Sequence, residues 1–210
     1  MKIITRTVAI NNLSKYIGKE LSSFAEQYGI TITKNGKYNK GWKGQVLERL
    51  AGLDNNNSKA PNGLSYELKS VAFYYKKEEL VPKETMAIAM INPEELLKTE
   101  FFSSHCWTKL KSIVFCAVMW NGKNSTKAKF LNIANFDFAQ DDELIQEIKH
   151  DYDYIRNKLI KHGWSSLTGK DGKWIQARTK GVGHGSNTRA FYARKQLVNK
   201  IFELGKINNK

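Results

Sequence analysis

The chain has 210 residues, 41% of them hydrophobic, which is long enough to bury one substantial core. Lys and Arg number 34 against 20 Asp and Glu, and this net charge of +14 points toward a polyanionic partner. Two cysteines without a CxxC, no apolar leader in MKIITRTVAINN and no run near the ~20 apolar residues of a membrane span exclude a zinc knuckle, a disulfide framework, a signal peptide and a membrane anchor. A bacterial cytoplasmic location is the expectation.

In chain order, the first element is a helix over Leu13–Tyr28, with Leu13, Ile17, Leu21 and Phe24 at helical spacing and Gly29 as its stop. Thr31–Tyr38 reads as a polar loop. A second helix runs over Gly41–Leu53, with Trp42, Val46, Leu47 and Leu50 apolar, and Asp54–Asn57 is a turn. Leu64–Tyr75 is strand-like. Thr85–Ile91 and Ser112–Met119 are continuous apolar runs, as expected of strands covered on both faces. Lys127–Phe136 is a further strand. The longest helix covers Asp141–Lys161, where Leu144, Ile148, Tyr152, Ile155 and Leu159 recur at steps of three and four. Lys173–Arg178 is a short strand, Lys180–Asn187 a glycine-rich loop, and Ala190–Phe202 a closing helix. The sum predicts an α/β domain, a mixed central sheet flanked by helices. It is one domain with room for two lobes, 1–60 plus the core and a basic region over 164–210. From Trp164 onward ten basic residues stand against two acidic ones, so this stretch carries +8 of the +14.

The chemistry concentrates in Ala60–Ser70, APNGLSYELKS. On a strand, residues i and i+2 share a face. Glu67 and Lys69 therefore project together, and Tyr66 and Leu68 face the core. A carboxylate can hold Mg²⁺, and an ammonium beside it can orient an attacking water or offset charge developing on phosphorus. The same pair also occurs as an ordinary solvated strand edge, so the flanking blocks decide. Upstream is NKGWKGQVLE (Asn39–Glu48). Downstream are GKWIQARTK (Gly172–Lys180) and RAFYARK (Arg189–Lys195).

In order and content these blocks resemble the MutH family of DNA endonucleases, which share the PD-(D/E)XK nuclease fold with several restriction enzymes. The resemblance spans roughly Leu13 to Leu204, and the 60–70 stretch looks like the corresponding segment of the MutH-like restriction enzyme MvaI. It implies a restriction-endonuclease-like fold, Mg²⁺ as cofactor with Mn²⁺ able to substitute, and double-stranded DNA as partner. The metal-site residues it implies are Glu67, Glu48 and position 62, with Lys69 positioning the water. The family pattern has aspartate where this chain has Asn62, a neutral side chain that cannot supply negative charge to a cation. Three readings stand: Asn62 replaces an aspartate and inactivates the chain, Asp54 serves instead, or the nuclease is naturally weak or dead.

The DNA-binding set implied by the resemblance begins with Lys40 and Gly41, where a helix N-terminus offers N–H groups to phosphate. Lys109 follows, with Lys111 as the alternative. Arg178 is the reading head, because a guanidinium fits guanine O6 and N7; alone it is equally a phosphate clamp. Thr179 replaces the proline of the family's Arg-Pro-Lys, which alters the adjacent base contact, and Lys180 completes the segment. His184, in the glycine-rich loop, either touches phosphate or is simply exposed; the loop is neither a Walker nor a Rossmann motif. Tyr192 matches the tyrosine that senses adenine methylation, and Arg194 lies by the backbone. Phe191 is expected in the core. The activity implied is sequence-specific hydrolysis of duplex DNA, most simply by a type II restriction enzyme. The alternatives are a mismatch-repair nickase directed by a MutL-like partner and, from another class, a catalytically inert DNA-binding module.

Overall fold

The computed structural model describes residues 4–54, 65–138, 141–181 and 187–206. Its elements divide into two compact units. One comprises residues 1–84, 113–136 and 201–210, the other residues 85–112 and 137–200. The fold class is the expected one, a mixed α/β architecture with a mixed sheet flanked by helices, consistent with a restriction-endonuclease-like fold.

The first unit opens with α1 (Arg6–Ser14) and α2 (Ser22–Gln27). These replace the single helix expected over Leu13–Tyr28. The chain leaves the helix at Lys15 because its amides find partners elsewhere. Gly18 N–H donates to the Phe130 carbonyl and Leu21 N–H to that of Ala128, with Gly18 at φ +84°. Leu13 and Leu21 are still fully buried, so the apolar pattern marked the core correctly and the backbone incorrectly. The polar loop over Thr31–Tyr38 is a hairpin, β1 (Thr33–Lys34) and β2 (Lys37–Tyr38). Asn35 and Gly36 form its turn at φ 49° and 71°, the positive values of a type I′ turn. α3 (Trp42–Ala51) ends at Gly52 in the left-handed conformation. Trp42, Val46, Leu47 and Leu50 are buried along one face of it, against Tyr66, Val114 and Phe130.

That core is roofed by a four-stranded sheet in the order β4-β3-β6-β7. The strands are β3 (Glu67–Lys76), β4 (Glu79–Pro82), β6 (Ser112–Met119) and β7 (Phe130–Asp137). β3 and β6 are parallel, with Glu67 opposite Ile113 and Lys69 opposite Phe115. The short antiparallel β4, absent from the sequence reading, pairs only with Phe73–Lys76. β6 is buried on both faces as expected.

The second unit holds a three-stranded antiparallel sheet in the order β5-β9-β8. Here β5 is Met86–Ile91, β8 Ile175–Thr179 and β9 Arg189–Ala193. The strand expected over Thr85–Ile91 is therefore real, but it is an edge strand of a separate sheet, and Met90 is 46% exposed. The closing helix expected over Ala190–Phe202 is half strand. β9 is hydrogen-bonded on both sides, and α7 (Lys195–Gly205) begins only after Arg194. A two-sided ladder outweighs the helical preference of so short a segment. α4 (Pro93–Lys98) and α5 (His105–Leu110) lie between β5 and β6 in the chain. The long helix α6 (Asp142–His162) packs on β8 and α4, with the Tyr152 ring stacked on Phe191 at 5.4 Å.

Candidate active site

Glu67 and Lys69 do share a face at the start of β3. Lys69 Nζ lies 3.1 Å from Glu67 Oε1. Tyr66 and Leu68 are in the core, as the alternation requires. Glu67 is also almost out of water, at 4% exposure, so this is not a solvated surface pair. Burial pushes the Tyr66 phenol up to about 12, which keeps it protonated. Because β4 joins β3 only from Phe73 onward, the Glu67–Ser70 half has a strand neighbour on one side alone, among the described residues.

A carboxylate this buried is costly, and a single lysine rarely returns the desolvation cost in full. Such a pair is weak evidence for stability.

α3 packs on this strand. The crossing point is Gly44, where a Cβ would stand 3.4 Å from Ser70 Oγ. Glu48 follows one turn later, about 6 Å along the axis, and is half-buried. Among the described residues no three His, Cys, Asp or Glu side chains converge. Mg²⁺ does not require such a cluster, since it commonly takes one or two carboxylates and completes its shell with water and substrate phosphate. Asn62 and His184 lie outside the described residues. Asp54, the alternative acid, is exposed and paired with Arg49 at 3.0 Å. At the start of α3, Lys40 and Gly41 are exposed, and the Gly41 N–H donates to Asn39 Oδ1 at 3.0 Å.

The other predicted residues lie in the second unit. Lys109 lies shortly before β6 in the chain. It occupies the last turn of α5 and is 7% exposed, whereas Lys111 is exposed. Arg178, Thr179 and Lys180 are exposed at the end of β8. The Arg178 guanidinium lies 4.9 Å from the Tyr192 ring centre, and its Nη1 donates to Thr85 Oγ1 at 3.4 Å. The register explains the meeting: Gln176 pairs with Tyr192, and Arg178 is two residues further along that face. Two residues chosen separately in the sequence are thus one cation–π pair.

Arg194 has a different setting. Its guanidinium donates to the carbonyls of Gly169, Asp171 and Gly172 at 2.9–3.1 Å, which makes it a brace for the turn before β8. Other basic residues of the C-terminal region are also engaged. Lys173 pairs with Glu147, Lys200 with Asp141, and Arg189 is buried against the Trp164 ring. The hydrogen bonds from Lys173 and from the Trp174 indole hold the Glu147 carboxyl below its usual range. The charge count therefore overstates the cationic surface of this region.

Sequence reasoning missed Asp151. Its buried carboxylate accepts N–H bonds from Lys173, Trp174 and Ile175 at 2.7, 2.5 and 2.9 Å and so sets where β8 starts. A signal existed: Asp151 falls on the apolar face of α6, between Ile148 and Ile155. An acid there needs donors.

Part of the chain is similar to a known family. Residues 52–151, which include Glu67, Lys69 and Lys109, match the family model of the DNA mismatch repair enzyme MutH. A curated relative, the DNA mismatch repair protein MutH of Vibrio campbellii, is 23% identical over 184 residues, covering 83% of this chain and 76% of the relative.

Proposed function

Because the chain is MutH-like, which points to a DNA endonuclease, we propose that it is a Mg²⁺-dependent, sequence-specific endonuclease of double-stranded DNA. The observation that carries this reading is the nearly buried Glu67–Lys69 pair at a one-sided strand end, inside the matched region. Water adds to phosphorus and one P–O ester bond breaks, which leaves a hydroxyl on one end of the cut strand and a phosphate on the other. Glu67 and Glu48 would hold a divalent cation, Mg²⁺ or Mn²⁺ as its substitute, which when bound would supply Lewis-acid polarisation of the phosphoryl group. Position 62 belongs to the same set by resemblance. Lys69 holds positive charge beside the attacked phosphorus and orients the water through its N–H groups. Lys40 and Gly41 hold backbone phosphates, as do Lys109, Lys180 and His184; Arg194, engaged with the turn carbonyls, acts by holding that turn in place. Arg178 and Tyr192 read base edges, with Thr179 adjusting the neighbouring contact.

Within this class we favour a type II restriction enzyme, on the Ala60–Asn62 segment and on Thr179. The second reading is a methylation-sensitive nickase acting with a MutL-like partner, favoured by the name of the Vibrio relative. The purified chain on supercoiled plasmid separates them. Linear product with Mg²⁺ and no partner protein supports restriction, and open circles alone support the nickase. Intact plasmid with Mg²⁺ and with Mn²⁺ leaves the inert binding module, to which Asn62 contributes.

Arg178→Lys tests the reading head. Lysine keeps the charge but loses the planar fork, so discrimination at one base pair is expected to weaken by about 1–3 kcal/mol, roughly 5- to 150-fold. Competition between cognate and single-substituted sites measures it. Unchanged discrimination would assign Arg178 to phosphate.

A further inference from the structure

Residues 27–47 contain Lys34, Lys37, Lys40 and Lys43 and no acid. The hairpin β1–β2 makes this spacing into a surface. Its two-residue type I′ turn sets Lys34 directly opposite Lys37 in the ladder. Opposed like charges destabilise a hairpin, and a two-stranded ribbon is marginal by itself. Both lysines are exposed, and among the described residues no carboxylate is paired with either. An open concavity of about 400 Å³ lies between Thr31, Lys34, Lys37, Tyr38 and Asn39.

The ribbon is nevertheless held in place. The Trp42 indole N–H donates to Tyr38 Oη at 2.8 Å, and Tyr38 donates to the Ser125 carbonyl at 2.9 Å. Asn39 Nδ2 donates to the Thr31 carbonyl and to Gln45 Oε1. Lys43 is different in kind: it is half-buried beside the Trp42 ring, and burial lowers its pKa despite Glu84 and Glu20. What projects is a rigid, doubly cationic tip.

Building on the endonuclease reading, we infer that the Thr33–Tyr38 hairpin is a clamp for the phosphate backbone of duplex DNA, acting through Lys34 and Lys37. Phosphate oxygens between the two ammonium groups relieve their repulsion, and the anchored base spares most of the ordering cost on binding. The contact is with backbone and carries no sequence information.

The test is the salt dependence of binding to a short blunt DNA duplex in EDTA, where cleavage is blocked. Releasing two fewer counterions is expected to make the log–log slope of the Lys34→Ala/Lys37→Ala variant shallower by about 1.8. The Lys34→Arg/Lys37→Arg variant keeps the wild-type slope. A control, Lys98→Ala/Lys161→Ala, removes the same net charge elsewhere and also keeps it. If the alanine variant retains the wild-type slope, or if the control changes it equally, the clamp is wrong and the endonuclease reading stands. If the wild-type chain binds no duplex at any salt, the endonuclease reading falls and the clamp with it.

Discussion

Lys69→Gln is expected to slow strand cleavage by about three orders of magnitude while duplex binding stays within a few-fold. The side chain lies 3.1 Å from Glu67, beside the proposed scissile phosphate, and its contribution is charge delivered at the reacting centre. The same substitution has a second consequence. The Glu67 side chain is only 6% exposed, so removing an ammonium 3.1 Å from it breaks a largely buried ion pair and costs about 3–5 kcal/mol. Lost activity alone would therefore be ambiguous. The double variant Glu67→Gln/Lys69→Gln resolves it, since two neutral amides can hydrogen-bond to each other and recover much of the stability. We expect near-wild-type melting and no cleavage. A folded double variant that still cuts at the wild-type rate would remove this pair from the chemistry.

Gly172→Ala is expected to destabilise the second unit by at least about 3 kcal/mol. Gly172 has φ +77°, and a Cβ there would stand 2.0 Å from the Ile175 carbonyl oxygen and 3.0 Å from Asp151 Cγ. Neither atom can yield. The carbonyl belongs to β8, and the carboxylate is committed to three consecutive backbone N–H groups. At roughly 2–4 °C per kcal/mol for a chain of this size, the melting temperature should fall by about 6–12 °C. Hydrogen exchange localises the damage: amides of residues 173–179 lose protection, and those of β3 keep it. The start of β8 also sets Arg178, so sequence discrimination should fall before DNA affinity does. An alanine variant melting within a degree of wild type would show that the turn yields more easily than its geometry implies.

What could be read from residues alone was local. The apolar face of α3 was legible because four large side chains at helical spacing have one way to be buried together. The two-residue period of a strand puts Glu67 and Lys69 on one face. Composition gave the net charge of +14 but not how much of it is free at the surface, and the MutH likeness followed from the order of short blocks. The Asn35-Gly36 hairpin was equally legible, since that dipeptide favours positive φ at both positions, and reading the segment as a loop overlooked it.

Tertiary structure decided the rest, because it depends on partners far away in the chain. The amides at Gly18 and Leu21 bond to carbonyls more than a hundred residues on, and that pairing broke a helix whose apolar spacing was sound. β9 is a strand because two other strands flank it, although Ala190–Phe202 taken alone reads as a helix. The depth of Glu67, the joining of Arg178 to Tyr192 and the engagement of Arg194 with a turn are likewise contacts between distant segments. Spacing along a chain determines which side chains can share a face. Which groups lose water, and which charges are already taken, is settled only when the faces meet.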